Sequence, residues 1–161
     1  MSALEDKVRE LVAVLKEAAS SYAPAVFANS LGAEDMVLTD VINKSGLPIE
    51  MFSLDTGRLP EETYKLMQEV RANYKIPLRI YFPDAAAVED FAAKHGVNGF
   101  YDSVALRKQC CHMRKVEPLR RALAGKKSWI TGIRRDQAVT RGALQVSSFD
   151  AENGLQKFNP L

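Results

Sequence analysis

Cysteine is nearly absent from this 161-residue chain: there are two, and they are neighbours, Cys110 and Cys111. So small a number excludes a disulfide-stapled scaffold. The pair is also poorly placed to bridge itself, because a ring through one intervening peptide is strained away from ordinary disulfide geometry. Long apolar runs are missing, and none approaches the ~20 residues a bilayer-spanning helix needs. Charge of one sign is missing too. Lys and Arg number 22 against 20 Asp and Glu, leaving a net charge of +2, which gives no general case for a nucleic-acid partner or a membrane surface. Repeats, low-complexity tracts and linkers are absent, so punctuation falls to single Gly and Pro residues.

What is present reads as one globular domain spanning residues 1–161, with 47% hydrophobic residues and enough length for a core. The opening segment "MSALEDKVRELVAVLKEAASSY" intersperses Glu5, Asp6, Lys7, Arg9 and Glu10 among apolar positions. That pattern predicts an amphipathic helix and not a secretory signal. Paired cysteines without a signal point to a reducing cytoplasm, where thiols serve as metal ligands or catalysts more often than as bridges.

Strand and helix patterns then alternate. "PAVFANS", "IEMFSLD", "PLRIYFP" and "KSWITGI" read as strands. Helical spacing falls between them in "AEDMVLTDVINKSG", "LPEETYKLMQEVRANY" and "AAAVEDFAAKHG", the last ending at His95 and Gly96. "SVALRKQCCHMRKVEPLRRALAG" reads as a helix in two pieces that restarts or kinks at Pro118. "ALQVSSFD" and "LQKFNPL" around "AENG" read as a hairpin. The alternation predicts an α/β fold, a mostly parallel sheet with helices on both faces, and ligands at the carboxyl ends of its strands.

Three loops at such ends carry chemistry. In "NSLGAED", Ser30 offers a hydroxyl, Gly32 permits close backbone approach, and the helix start behind them offers N–H groups to an anion. Glu34 and Asp35 compete for the same helix end. In "LDTGRLPEET", Asp55 and Thr56 end a strand, Gly57 permits a tight turn and Arg58 is a candidate anion contact. In "TGIRRDQAVTR", Arg134, Arg135 and Arg141 suit bidentate recognition of phosphate or sulfate. Together the loops describe a site for a nucleotide with an additional negative group.

The stretches "SLGAEDMVLTD", "SLDTGRLPEETY", "KQCCHMRKVEPL" and "TGIRRDQAVTR", in that order, resemble the assimilatory sulfonucleotide reductases. The resemblance implies an adenine-nucleotide α-hydrolase-like fold of the HUP or PP-loop type. Ser30, Gly32 and Asp35 match its modified pyrophosphate loop. Asp55, Thr56, Gly57 and Arg58 match the adenosine-side turn, and Arg134, Arg135 and Arg141 match the loop gripping a phosphosulfate. By the same resemblance, Cys110 and Cys111 are two of four ligands to a [4Fe–4S] cluster, consistent with the thiolate ligation such clusters take. The Cys-Cys branch prefers adenosine 5′-phosphosulfate; cluster-free relatives prefer its 3′-phosphorylated form. Lys115 matches a basic residue between cluster and substrate, and Arg107, Lys108 and Arg114 offset the cluster's charge. His112 is expected to point to solvent.

Family members reduce the sulfonucleotide to sulfite and AMP through an S-sulfocysteine that thioredoxin or a similar dithiol resolves. The C-x-x-C completing the cluster and the nucleophilic cysteine near the family's C-terminus are not among these residues, so the chain is expected to be the front part of a longer enzyme. Two other readings share the motifs. An ATP pyrophosphatase of the PP-loop type would need a fuller glycine loop than one with Leu31 and Met36. A non-catalytic nucleotide-binding module would keep the binding loops alone, and self-association stays open. With reduced thioredoxin and adenosine 5′-phosphosulfate, the 161-residue chain is expected to release no sulfite; sulfite in that assay would overturn the assignment of the nucleophile to another segment.

Overall fold

Strands and helices alternate from the first helix onward in the computed structural model, which describes residues 2–134 and 144–161. Helix α1, Ala3–Ser21, starts from a reciprocal cap: Glu5 N–H donates to Ser2 Oγ (3.3 Å) while Ser2 N–H donates to Glu5 Oε2 (2.8 Å). Its apolar stripe of Leu11, Leu15, Ala18 and Ala19 is buried. Then follow β1 (Ala25–Ala28), α2 (Ala33–Ser45), β2 (Ile49–Leu54), α3 (Glu61–Asn73), β3 (Leu78–Tyr81) and α4 (Ala85–His95). Gly46 ends α2 in the left-handed conformation, with φ 62°, where a side chain would be strained.

The sheet order is β3-β2-β1-β4-β6-β5, where β4 is Ser128–Ile130, β5 Ser147–Asp150 and β6 Leu155–Phe158. Every pairing is parallel except the β5–β6 hairpin, which the sequence pattern anticipates. Both faces are covered. On one, Phe27, Met51, Ile130 and Phe158 pack with Leu15 of α1, Leu38 and Ile42 of α2, and Val70 of α3. On the other, Val26, Phe52, Trp129 and Leu155 pack with Ala122 and Leu123. Burial on both sides is why β1 reads as an unbroken apolar run. No described helix is long and apolar enough to cross a membrane.

From Val104 to Leu123 two α-helical pieces follow one another, with Pro118 in the first turn of the second, as the sequence pattern anticipates. Helix α5, Val104–Cys111, passes through a single π-helical turn, His112–Val116, into α6, Glu117–Leu123. Proline has no N–H to donate, and its ring crowds the carbonyl four residues back. Widening the preceding turn, where Glu117 N–H reaches back to His112 O, accommodates both while the rod continues. A third small cluster, Phe91 with Cys110 and Met113, seats this rod against α4.

Phe27 is fully buried at the middle of the sheet, so Phe27→Ala is expected to lower unfolding free energy by about 3–5 kcal/mol, read as a shifted urea midpoint at unchanged slope.

Candidate functional site

Strand β1 has β2 on one side and β4 on the other, and the connections leaving β1 and β4 diverge there. Such a switch point opens a crevice at the carboxyl ends of the strands. A cavity of about 320 Å³ lies in it. Ala28, Asn29 and Ser30 at the end of β1, Phe52 and Leu54 from β2, and Trp129 from β4 form its floor, while Leu59, Thr63, Leu119 and Lys115 close its sides. The walls are largely apolar with few polar groups, which suits a flat heterocycle with a polar tail.

The turn after β1 is held from within. Asn29 is buried and donates through Nδ2 to Thr39 Oγ1 (2.9 Å), while its Oδ1 accepts from Leu31 N–H (2.8 Å). Leu31 sits at φ 65°, a left-handed conformation that costs a non-glycine residue about 1–2 kcal/mol. Burial of its side chain in the main core offsets that strain. Asp35 Oδ2 accepts from Ser30 N–H (2.6 Å) and from Ser30 Oγ–H (2.5 Å). Gly32 precedes the first residue of α2. Across the crevice, Gly132 lies so close that a Cβ there would fall 1.8 Å from Asp35 Oδ1.

The turn after β2 is built around Asp55, whose Oδ1 accepts from Gly57 N–H (2.7 Å) and Tyr64 O–H (3.0 Å). That hydrogen bond, with burial and the carboxylate's charge, raises the Tyr64 pKa and keeps the phenol a neutral donor. Gly57, at φ 74°, leaves room for Arg114, whose Nη1 donates to Thr56 O (2.6 Å). Arg58 turns away from the cavity. Its Nη1 and Nη2 donate to Val97 O (3.0 Å) and Asn98 Oδ1 (2.9 Å), and its guanidinium lies 4.7 Å from the Phe100 ring centroid.

Cys110 and Cys111 end α5, the first buried and the second exposed. Both line a second depression of about 350 Å³, shared with Arg58, Arg107, Arg114 and Lys115. Thr56 and Lys115 line both spaces, so they form the divide between them. Two adjacent thiols in a basic surround fit half of a four-thiolate iron–sulfur site. Among the described residues, no cluster of three or more His, Cys, Asp or Glu side chains converges on a common point. His112 is exposed. Arg134 leaves the end of β4 and pairs with Glu34, Nε to Oε1 3.2 Å; Arg135 and Arg141 lie outside the described residues.

The structure thus brings Ser30, Thr56 and Lys115 to one cavity, gathers Arg58, Cys110 and Cys111 around its neighbour, and uses Asp35, Asp55 and Gly57 to shape the turns. Sequence reasoning passed over Asn29, Trp129 and Gly132 as contributors. Asn29 had a local signal, a polar residue closing an apolar strand; Gly132 had none, since its contact is made across the sheet. Replacing Gly132 by Ala is expected to displace Asp35 and cost about 1–3 kcal/mol of stability in urea unfolding; an unchanged midpoint would show that the two loops do not press on each other.

Comparison with known proteins agrees with this geometry. Residues 24–161 match the family model described as the phosphoadenosine phosphosulfate reductase domain. The chain is similar to the adenosine 5′-phosphosulfate reductase of Allochromatium vinosum, 53% identical over 136 residues, covering 84% of this chain and 53% of that protein. It is similar to the enzyme of the same name from Burkholderia cepacia, 48% identical over 158 residues, covering 98% of this chain and 63% of that one. The chain therefore spans between about half and two thirds of these relatives' lengths. Among solved structures, a phosphoadenylyl-sulfate reductase from Candida auris in complex with phosphate shares the fold at a TM-score of 0.78 and 29% identity, covering 100% of this chain and 80% of that one. With the switch-point cavity and the four ordered motifs, the match over residues 24–161 makes this chain a member of the phosphoadenosine phosphosulfate reductase domain family.

Proposed function

We propose that this chain is the nucleotide-binding part of an adenosine 5′-phosphosulfate reductase, acting in the cytoplasm to provide sulfite for assimilation. The observation that carries the reading is the divide formed by Thr56 and Lys115 between an apolar cavity and the basic depression holding Cys110 and Cys111. The names of the relatives at 53% and 48% identity support the 5′-phosphosulfate without a 3′-phosphate as substrate.

In this reading the adenine and ribose enter between Phe52, Leu54 and Trp129, where apolar walls exclude water from one face of the base. The phosphosulfate then extends past Ser30 toward Lys115. The ammonium of Lys115 neutralises charge on the bridging oxygens, and Arg134, Arg135 and Arg141 supply further guanidinium contacts. Cys110 and Cys111 would hold one side of a [4Fe–4S] cluster, which when bound supplies a compact charged centre beside the substrate's anionic end. A cysteine thiolate from another segment attacks the sulfate sulfur. The sulfur–oxygen bond to phosphate breaks, AMP leaves with that oxygen, and the thiolate becomes an S-sulfocysteine. A dithiol such as thioredoxin then releases sulfite and is itself oxidised to a disulfide.

Calorimetric titration of the chain tests this. Saturable binding of adenosine 5′-phosphosulfate and of AMP is expected. Lys115→Ala is expected to weaken the phosphosulfate by at least about tenfold, as befits loss of a charge-assisted contact. Absence of binding by either nucleotide would overturn the reading, and tighter binding of the 3′-phosphorylated sulfonucleotide would move the substrate to that class.

A further inference from the structure

The polar side chains lining the apolar cavity divide into those whose hydrogen bonds are spent inside the chain and those whose bonds are not. Asn29 is committed to Thr39 and Leu31, and Ser30 Oγ–H to Asp35. Trp129 Nε1 has no partner but is enclosed by its neighbours, out of a ligand's reach. Thr56 Oγ accepts from Arg58 N–H (3.3 Å) and stands with Lys115 on the divide toward the cysteines. Two hydroxyls remain, on Ser53 in β2 and on Thr63 in the first turn of α3. Neither makes a hydrogen bond among the described residues, and neither residue lines the cysteine-bearing depression. Ser53 is only 4% exposed, and a buried hydroxyl in that state carries an unmet desolvation cost until something in the cavity bonds it.

Charge is short on this side of the cavity. Among the described residues, Lys115 is the single cation that lines it. The nearby guanidiniums are occupied, Arg58 on Val97 O and Asn98 Oδ1 and Arg114 on Thr56 O. Beside Thr63 stand Glu61 and Glu62, and Lys65 is paired with Glu61 (2.9 Å).

We infer that Ser53 and Thr63 read the ribose, each bonding one of its hydroxyls, so that the cavity selects a nucleotide whose 2′ and 3′ hydroxyls are both present and unphosphorylated. The inference rests on the nucleotide-site reading above, in which the base lies against Phe52, Leu54 and Trp129 and the 5′ anion reaches Lys115. A serine or threonine hydroxyl both donates and accepts, so it meets a sugar hydroxyl in either direction. A nucleotide lacking that hydroxyl leaves the protein's own group unpaired, and this is what makes such sites discriminate. A 3′-phosphate would bring a dianion to a wall with no unspent cation.

Calorimetric titration of the wild-type chain with AMP, 2′-deoxy-AMP, 3′-deoxy-AMP and adenosine 3′,5′-bisphosphate tests the assignment before any variant is made. Each deoxynucleotide is expected to bind about fivefold or more weakly than AMP, and the bisphosphate at least about tenfold more weakly. Ser53→Ala and Thr63→Val are each expected to shrink the penalty for one deoxynucleotide to about twofold or less while keeping it for the other, a pattern that general loosening of the fold would not give. Wild-type binding of either deoxynucleotide within about twofold of AMP would overturn the inference even if neither variant folds. So would a bisphosphate that binds as tightly as AMP, or folded variants that keep both penalties. Binding of none of the four by wild type would instead strike the nucleotide-site reading itself, and this inference with it.

Discussion

The Asp35 carboxylate joins three pieces of the fold that the sequence keeps far apart. It receives Ser30 from the end of β1, lies in the first turn of α2, and rests on Gly132 at the end of β4. A buried acceptor left without donors would cost about 1–3 kcal/mol, so the three must stay in register together. The crevice between β1 and β4 keeps its width because of this junction. Asn29 and Thr39 extend it inward, tying the turn to Asp35 O and to the Met51 sulfur beneath. A strained Leu31 backbone persists at the surface of this network because the residues on either side are fixed.

The site's other half depends on a different tie. Arg114 reaches from the π-turn to the Thr56 carbonyl, fastening the rod that carries the cysteines to the turn after β2. Arg58 fastens the same turn to the loop at Val97 and Asn98. The basic residues around Cys110 and Cys111 thus divide their work. Some orient backbone, while Lys115 faces both spaces. On the far side of β4, Thr131 Oγ1–H donates to Asn159 Oδ1 (2.6 Å), and Asn159 Nδ2 donates to Gln145 O (3.1 Å). That buried asparagine sets the spacing of the two described ends flanking residues 135–143.

Local patterns made the scaffold legible. Apolar runs of four to six residues bounded by Asn, Asp, Gly and Pro marked the parallel strands, and the polar residues at their ends marked where chemistry sits. Ser30, Thr56, Lys115 and the cysteine pair could be named because their residue types carry chemistry wherever they stand. What was hidden depends on distance or on conformation. No composition announces that Leu31 takes a positive φ, that Gly132 touches Asp35, or that Arg58 spends its guanidinium on a neighbouring loop. Pro118 gave a true signal of disturbance, but the backbone answered it one turn earlier than the residue itself.

That answer sets a strict geometric tolerance. An α-helix advances about 100° per residue, whereas the wider π-turn absorbs one additional residue without ending the rod. Cys110 and Lys115 look into the same depression because His112–Val116 contains that additional residue. Loss of any single amino acid from this stretch would leave the composition almost untouched and the helix intact. It would close the π-turn to an α-helical one, in which the lysine, then four positions on from Cys110, again shares its face. The relation between the two halves of the site is therefore written as an angle: with every residue kept, an α-helical turn of ordinary width would carry the ammonium about 140° round from Cys110.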